Sequence, residues 1–99
     1  MSQRLKEGRA ASVIHFPDTL DALQMVRMKS RLTRLFNRHP KKVFLDLGAT
    51  RRVELAGLGI LLDRLKRLGN GHSVVRFSNV SAQVHRTLAR AGVESLLLS

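Results

Sequence analysis

The chain has 99 residues and carries 18 Lys and Arg against 7 Asp and Glu, a formal charge of +11, with no cysteine. That length suits one domain, residues 1–99, with one modest core, and an apolar fraction of 43 % argues against disorder as the main state. Without cysteine there are no disulfides, thiolate nucleophiles or thiolate metal sites, and the charged start "MSQRLKEGRA" has neither a signal peptide nor a membrane span behind it. A cytoplasmic protein that is not integral to the membrane is therefore expected.

In chain order, "ASVIHF" (residues 11–16) is short, apolar and β-branched, and reads as a strand ending at Pro17. The preceding "SQRLKE" is placed to pair with it across "GRA" as a hairpin. Asp18 and Thr19 are candidate caps for a helix from about Leu20 to Asn37, in which Met25, Met28, Leu32, Leu35 and Phe36 share one face. Pro40 stops it. "KKVFLDLG" has a nearly continuous apolar run, the pattern of a strand covered on both faces. A second helix follows, with Leu58, Leu61, Leu62, Leu65 and Leu68 on one side, closed at Gly69 or Gly71. "HSVVRFSNV" is the next strand. Ser81 caps a third helix with Val84, Leu88 and Ala91 inward, and the apolar tail "VESLLLS" is expected to dock. Alternating strands and helices predict an α/β layer fold, with a mixed, partly parallel sheet of 4–5 strands packed with 3–4 helices.

Catalytic chemistry needs convergent polar groups, and few are present. His15, His39, His72 and His85 fall in four separate elements without paired metal-ligand spacing, so no metal and no catalytic residue is expected. Asp46, in an apolar strand, is either a buried base or an acceptor for the backbone of the following loop; buried carboxylates must find donors, which favours the second. Gly57 and Gly59 precede neither the third glycine of a dinucleotide fingerprint nor the Lys-Ser/Thr of a phosphate loop, so no nucleotide cofactor is expected. Their simpler use is close approach of helix and strand.

The basic residues are better organised. Thirteen of the 18 are arginine, and Arg27, Arg31, Arg34 and Arg38 recur at spacings that put them within roughly a 60° arc of a helix. None has an acid four residues before it. This ridge is either a solvated polar face or, with Lys41 and Lys42, a dock for acidic protein or phosphates. Nucleic acid has little beyond charge to recommend it: there is no Trp or Tyr, the four Phe lie in apolar runs, and no helix-turn-helix or zinc-finger pattern is present.

The stretch from Lys42 to Leu68, "KVFLDLGATRRVELAGLGILLDRLKRL", resembles the STAS domain of anti-sigma factor antagonists. The family pattern is an apolar strand ending Asp-Leu-Ser, a loop, then Asp-Ser-Ser-Gly-Leu-Gly opening an apolar helix. Asp46 and Leu47 match the strand end, Val53 the apolar residue before the acid, Glu54 the acid, and Gly57, Leu58 and Gly59 the close. "FPDTLDA" resembles the start of the family's first helix, and "VVRFSNVSAQVHRTLARAGVESLL" its second half, so the resemblance covers about residues 11–98. It implies a non-enzymatic, STAS-like interaction module. In phosphorylation-regulated members, a partner kinase that doubles as an anti-sigma factor modifies a Ser or Thr at the helix start, adding about −2 charge to a contact surface.

Here that position is Leu55, the next family Ser is Ala56, and Gly48 replaces the Ser after Asp-Leu. No other hydroxyl lies between Thr50 and Ser73, and Thr50 is too early to substitute. The resemblance therefore implies a partner-binding surface at Arg51, Arg52, Glu54, Leu55, Ala56, Gly57 and Leu58 that lacks the usual phosphorylation site. Alternatively Leu55 turns inward and Arg51 and Arg52 are merely solvated. The expected partner is an anti-sigma factor or serine kinase with an acidic contact surface. The other readings are an accessory subunit clasping the ATPase of a phospholipid ABC transporter, which suits Ala56 before the Gly, and a basic module binding nucleic acid or anionic membrane.

Overall fold

The computed structural model describes residues 11–69 and 73–93. The hairpin expected of "SQRLKE", Gly71, His72 and the apolar tail from Glu94 lie outside the described residues. The elements run β1 (Ala11–His15), β2 (Thr19–Leu20), α1 (Ala22–Phe36), β3 (Lys42–Asp46), β4 (Arg52–Val53), α2 (Leu55–Gly69), β5 (Val74–Ser78) and α3 (Ala82–Arg90). β1, β3 and β5 form a parallel sheet in the order β1-β3-β5, while β2 and β4 make a separate two-residue parallel pair. Five strands and three helices are thus described, within the expected numbers but divided between two sheets.

The register explains which face is buried. Ile14, Leu45 and Phe77 are partners across the sheet, with Val43 two residues earlier, and all four are buried. Side chains alternate along a strand, so these point to one face. Met25, Met28, Leu32 and Phe36 of α1, Leu58, Leu61 and Leu65 of α2, and Val84 and Leu88 of α3 complete a single core on that face. The opposite face departs from expectation. There Val13 and Val74 are 51 % and 47 % exposed, and Phe44 and Arg76 are only half-buried. Among the described residues β3 is therefore covered on one face, not two; Phe44 made the run look continuous although it faces away from the core.

The helix ends follow local chemistry except at the first. Ser81 caps α3 as expected, accepting from the Val84 N–H at 3.2 Å, and Gly92 beyond its end has φ +77°. For α1 the cap is Asp21, whose Oδ1 accepts from the Gln24 N–H at 2.8 Å, not Asp18 or Thr19. Those two residues are taken by non-local bonds: the Asp18 carbonyl accepts from Arg51 N–H at 2.8 Å, and Thr19–Leu20 pairs with Arg52–Val53.

Candidate functional site at the start of the second long helix

Residues 46–58 leave the sheet, cross to the start of α1 and turn into α2. Asp46 begins this path as an acceptor: its Oδ1 takes the Gly48 N–H at 2.7 Å and its Oδ2 lies 3.0 Å from His15 Nδ1. The Gly48 N–H chiefly, with Asn79 and His15, holds the carboxyl below its usual range against the opposing effect of partial burial. Asp46 thus organises the loop that follows β3.

Thr50 follows at a turn, its N–H donating to Leu47 O at 3.0 Å. Its hydroxyl donates to Pro17 O at 2.7 Å, and the residue is only 3 % exposed. A kinase cannot reach this oxygen without displacing the loop. The pairing of β2 with β4 and the bond from Glu54 N–H to Leu20 O, 3.0 Å, then bring the chain alongside residues 18–21. The Leu58 N–H donates to Glu54 O at 2.9 Å, the first bond of α2.

Gly57 is where the two segments touch. A Cβ there would lie 2.5 Å from Asp21 Cα and 2.6 Å from Leu20 O, closer than any side chain permits. Gly59, paired with it in the sequence reading, has no such duty: a Cβ there meets nothing within 4 Å.

This close contact separates what faces solvent from what does not. Arg51, Arg52, Glu54, Leu55 and Ala56 are exposed, and Leu55 is 70 % accessible. Leu55 does not turn inward. Gly57 is buried and Leu58 is 2 % exposed in the core, so these two shape the surface from beneath. Arg52 Nη2 lies 3.5 Å from Glu54 Oε2 and Arg51 Nε 3.9 Å from Asp18 Oδ1, both pairs at the surface and weak.

Two further exposed apolar residues were missed by sequence reasoning. Leu23 and Val26, in the first turns of α1, are 56 % and 64 % exposed. Three apart, they share a face of that helix, and Leu23 is two residues beyond the Asp21 that Gly57 touches. The available signal was their position off the stripe of Met25, Met28 and Leu32. Arg27, Arg31 and Arg34 are exposed along α1, whereas Arg38 is exposed two residues past its end, beyond the Asn37 cap, and no ion pair engages the four among the described residues. Among those residues no three of His, Asp and Glu gather as metal ligands, and no helix is long and apolar enough to cross a membrane.

A three-stranded parallel sheet with helices on one face, and a loop that opens a helix at a glycine contact, define an α/β domain architecture. The chain belongs to the STAS domain family, whose model matches residues 3–98. Similar solved structures include the anti-sigma factor antagonist SpoIIAA in its unphosphorylated form, 15 % identical, with a TM-score of 0.69, covering 91 % of this chain and 79 % of that one. The phosphorylated form of SpoIIAA, a Bacillus cell fate determinant, is 14 % identical, with a TM-score of 0.61, covering 91 % and 82 %. A sulfate transporter family protein from Wolinella succinogenes is 15 % identical, with a TM-score of 0.66, covering 89 % and 75 %. At these identities the likeness is one of fold. No curated protein matches the sequence at a significant level.

Proposed function

We propose that this chain is a non-enzymatic, cytoplasmic interaction module of the anti-sigma factor antagonist kind, which binds an anti-sigma factor or serine-kinase partner through the start of α2. The observation that carries this reading is Leu55, 70 % exposed at the helix-opening position, with exposed Ala56 after it and Arg51 and Arg52 before it. An exposed leucine contributes about 1.5–3 kcal/mol when fully buried in an interface, and flanking arginines select an acidic surface. With no hydroxyl at residues 51–58 and Thr50 shielded by Pro17, binding here is not switched off by phosphate at the usual place.

The test uses a candidate anti-sigma kinase from the same organism. Titration calorimetry is expected to show binding that Leu55→Asp weakens at least tenfold, equivalent to about 1.4 kcal/mol. Intact mass after incubation with that kinase and ATP is expected to be unchanged. A phosphate within residues 50–58, or Leu55→Asp binding as well as wild type, overturns the reading. Binding instead to the ATPase of a neighbouring transporter transfers the same surface to a transport complex and overturns the sigma-factor assignment.

A further inference from the structure

The first long helix has an outward line of residues that the core does not use. Leu23, Val26, Ser30 and Thr33 recur at spacings of three, four and three, which keeps them in one row along α1. At 100° per residue this row lies about 135° around the helix from the buried stripe of Met25, Met28, Leu32 and Phe36. Leu23 and Val26 are 56 % and 64 % exposed, and among the described large apolar side chains only Leu55 is more exposed than either. Ser30 is exposed and Thr33 half-buried. The Thr33 hydroxyl donates to Lys29 O at 2.9 Å, so its donor is satisfied within the helix and its methyl group is left for contact. From Leu23 to Thr33 the row runs about 15 Å without a charge, in a chain that carries +11.

Cations stand on both sides of it. Counted in sevens, Leu23 and Ser30 hold the first position and Val26 and Thr33 the fourth. Arg27 and Arg34 then fall at the fifth position and Lys29 at the seventh, the places that flank a seam between two helices. All three are exposed, α1 contains no acid, and among the described residues no carboxylate pairs with any of them.

These flanking charges decide what can lie on the row. A second copy of this chain would set Arg27, Arg34 and Lys29 against the same cations, whether the two helices ran parallel or antiparallel, and like charges there repel. A duplex of nucleic acid would gain the cations and leave Leu23 and Val26 without an apolar partner. A helix with apolar residues at its own seam and Glu beside it matches the row and its flanks together. Guanidinium groups add paired hydrogen bonds to those carboxylates.

We propose that α1 is a docking surface for an acidic amphipathic helix of a partner protein, which lays apolar side chains on Leu23, Val26 and Thr33 and carboxylates on Arg27, Lys29 and Arg34. From Asp21, where Gly57 makes its contact, this surface runs about 20 Å along α1 to Arg34, so it is separable by mutation from the one at Leu55.

Fluorescence anisotropy with a labelled 21-residue helical peptide tests the proposal on the full chain. The peptide has Leu at the first and fourth positions of each seven and Glu at the fifth and seventh, so that its own charges oppose self-pairing. A control peptide has the same composition in scrambled order, hence the same charge without a seam. The seam peptide is expected to bind at least tenfold more tightly than the control. Leu23→Ser with Val26→Ser, which leaves the charge unchanged, is expected to weaken its binding at least tenfold, and Arg27→Gln with Arg34→Gln severalfold, both with the wild-type far-UV circular dichroism. Leu55→Ser is expected to leave peptide affinity unchanged. Equal binding of the two peptides, or seam-peptide binding that ignores the Leu23 and Val26 pair, overturns the proposal. A loss with Leu55→Ser as large as that of the pair puts the peptide on the first surface and overturns it too. So does a dimer of this chain, seen by light scattering, that Leu23→Ser with Val26→Ser dissociates, because a second copy then occupies the row.

Discussion

Two glycines two residues apart in α2 have opposite physical roles. At Gly57 an added methyl meets backbone, Asp21 Cα at 2.5 Å, which cannot rotate away. Gly57→Ala is expected to destabilise the fold by about 2–3 kcal/mol, the range of overpacking in a tight contact, and to disturb the surface around Leu55. At Gly59 the same methyl enters open space within a helix. Gly59→Ala is expected to stabilise by about 0.5–1 kcal/mol, because the unfolded glycine has more conformational freedom to lose. Urea denaturation of the two variants measures both; equal effects would contradict the assignment of the contact to Gly57. The "GLG" motif was legible in the sequence, but which glycine touches another segment depends on where residues 18–21 run.

At the scale of elements, Asp46 joins the ends of three strands. Its oxygens reach the Gly48 N–H beyond β3 and the His15 imidazole at the end of β1, while Asn79, just past β5 and with φ +56°, supplies a further hydrogen bond. These donors favour the ionised form, so the folded pKa lies below the unfolded one. The stabilisation is present above the unfolded value, about 3.9, and is lost as pH falls through the folded value. Denaturant midpoints measured from pH 6 down to pH 2 are expected to fall in the acid range for wild type and to fall less for Asp46→Asn. Parallel curves for the two proteins would show that Asp46 does not carry this linkage. That Asp46 serves the loop was readable from its place in an apolar strand. The cap of α1 was not: the sequence offered Asp18 and Thr19, but the backbone of both is held by β4 and the residue before it, and Asp21 takes the role.

For the whole molecule, the charge of +11 on 99 residues is the dominant long-range term. The described residues hold only three Arg–carboxylate pairs, Arg51–Asp18, Arg52–Glu54 and Arg67–Asp63, all at the surface. Self-repulsion therefore opposes the compact state, and salt screens it over a Debye length of about 10 Å at 0.1 M. Raising NaCl from 20 to 200 mM is expected to raise Tm by about 2–8 °C, as follows from relieving about 0.5–1 kcal/mol in a domain of this size. A Tm that is flat or falling with salt would mean that attractive pairs outweigh the surplus.

The sequence by itself determined the alternation of strands and helices, the inward stripes of all three helices, the family resemblance and the loss of a hydroxyl at Leu55. Each of these is set by residue type and by spacing along the chain. Tertiary structure alone decided that Leu55 points to solvent while Leu58 does not, that Thr50 is sealed by Pro17, and that Leu23 and Val26 are exposed near the same site. The reason is common to all three: exposure and pairing depend on segments far apart in sequence, such as Thr50 and Pro17, 33 residues apart, and no local pattern carries such a distance.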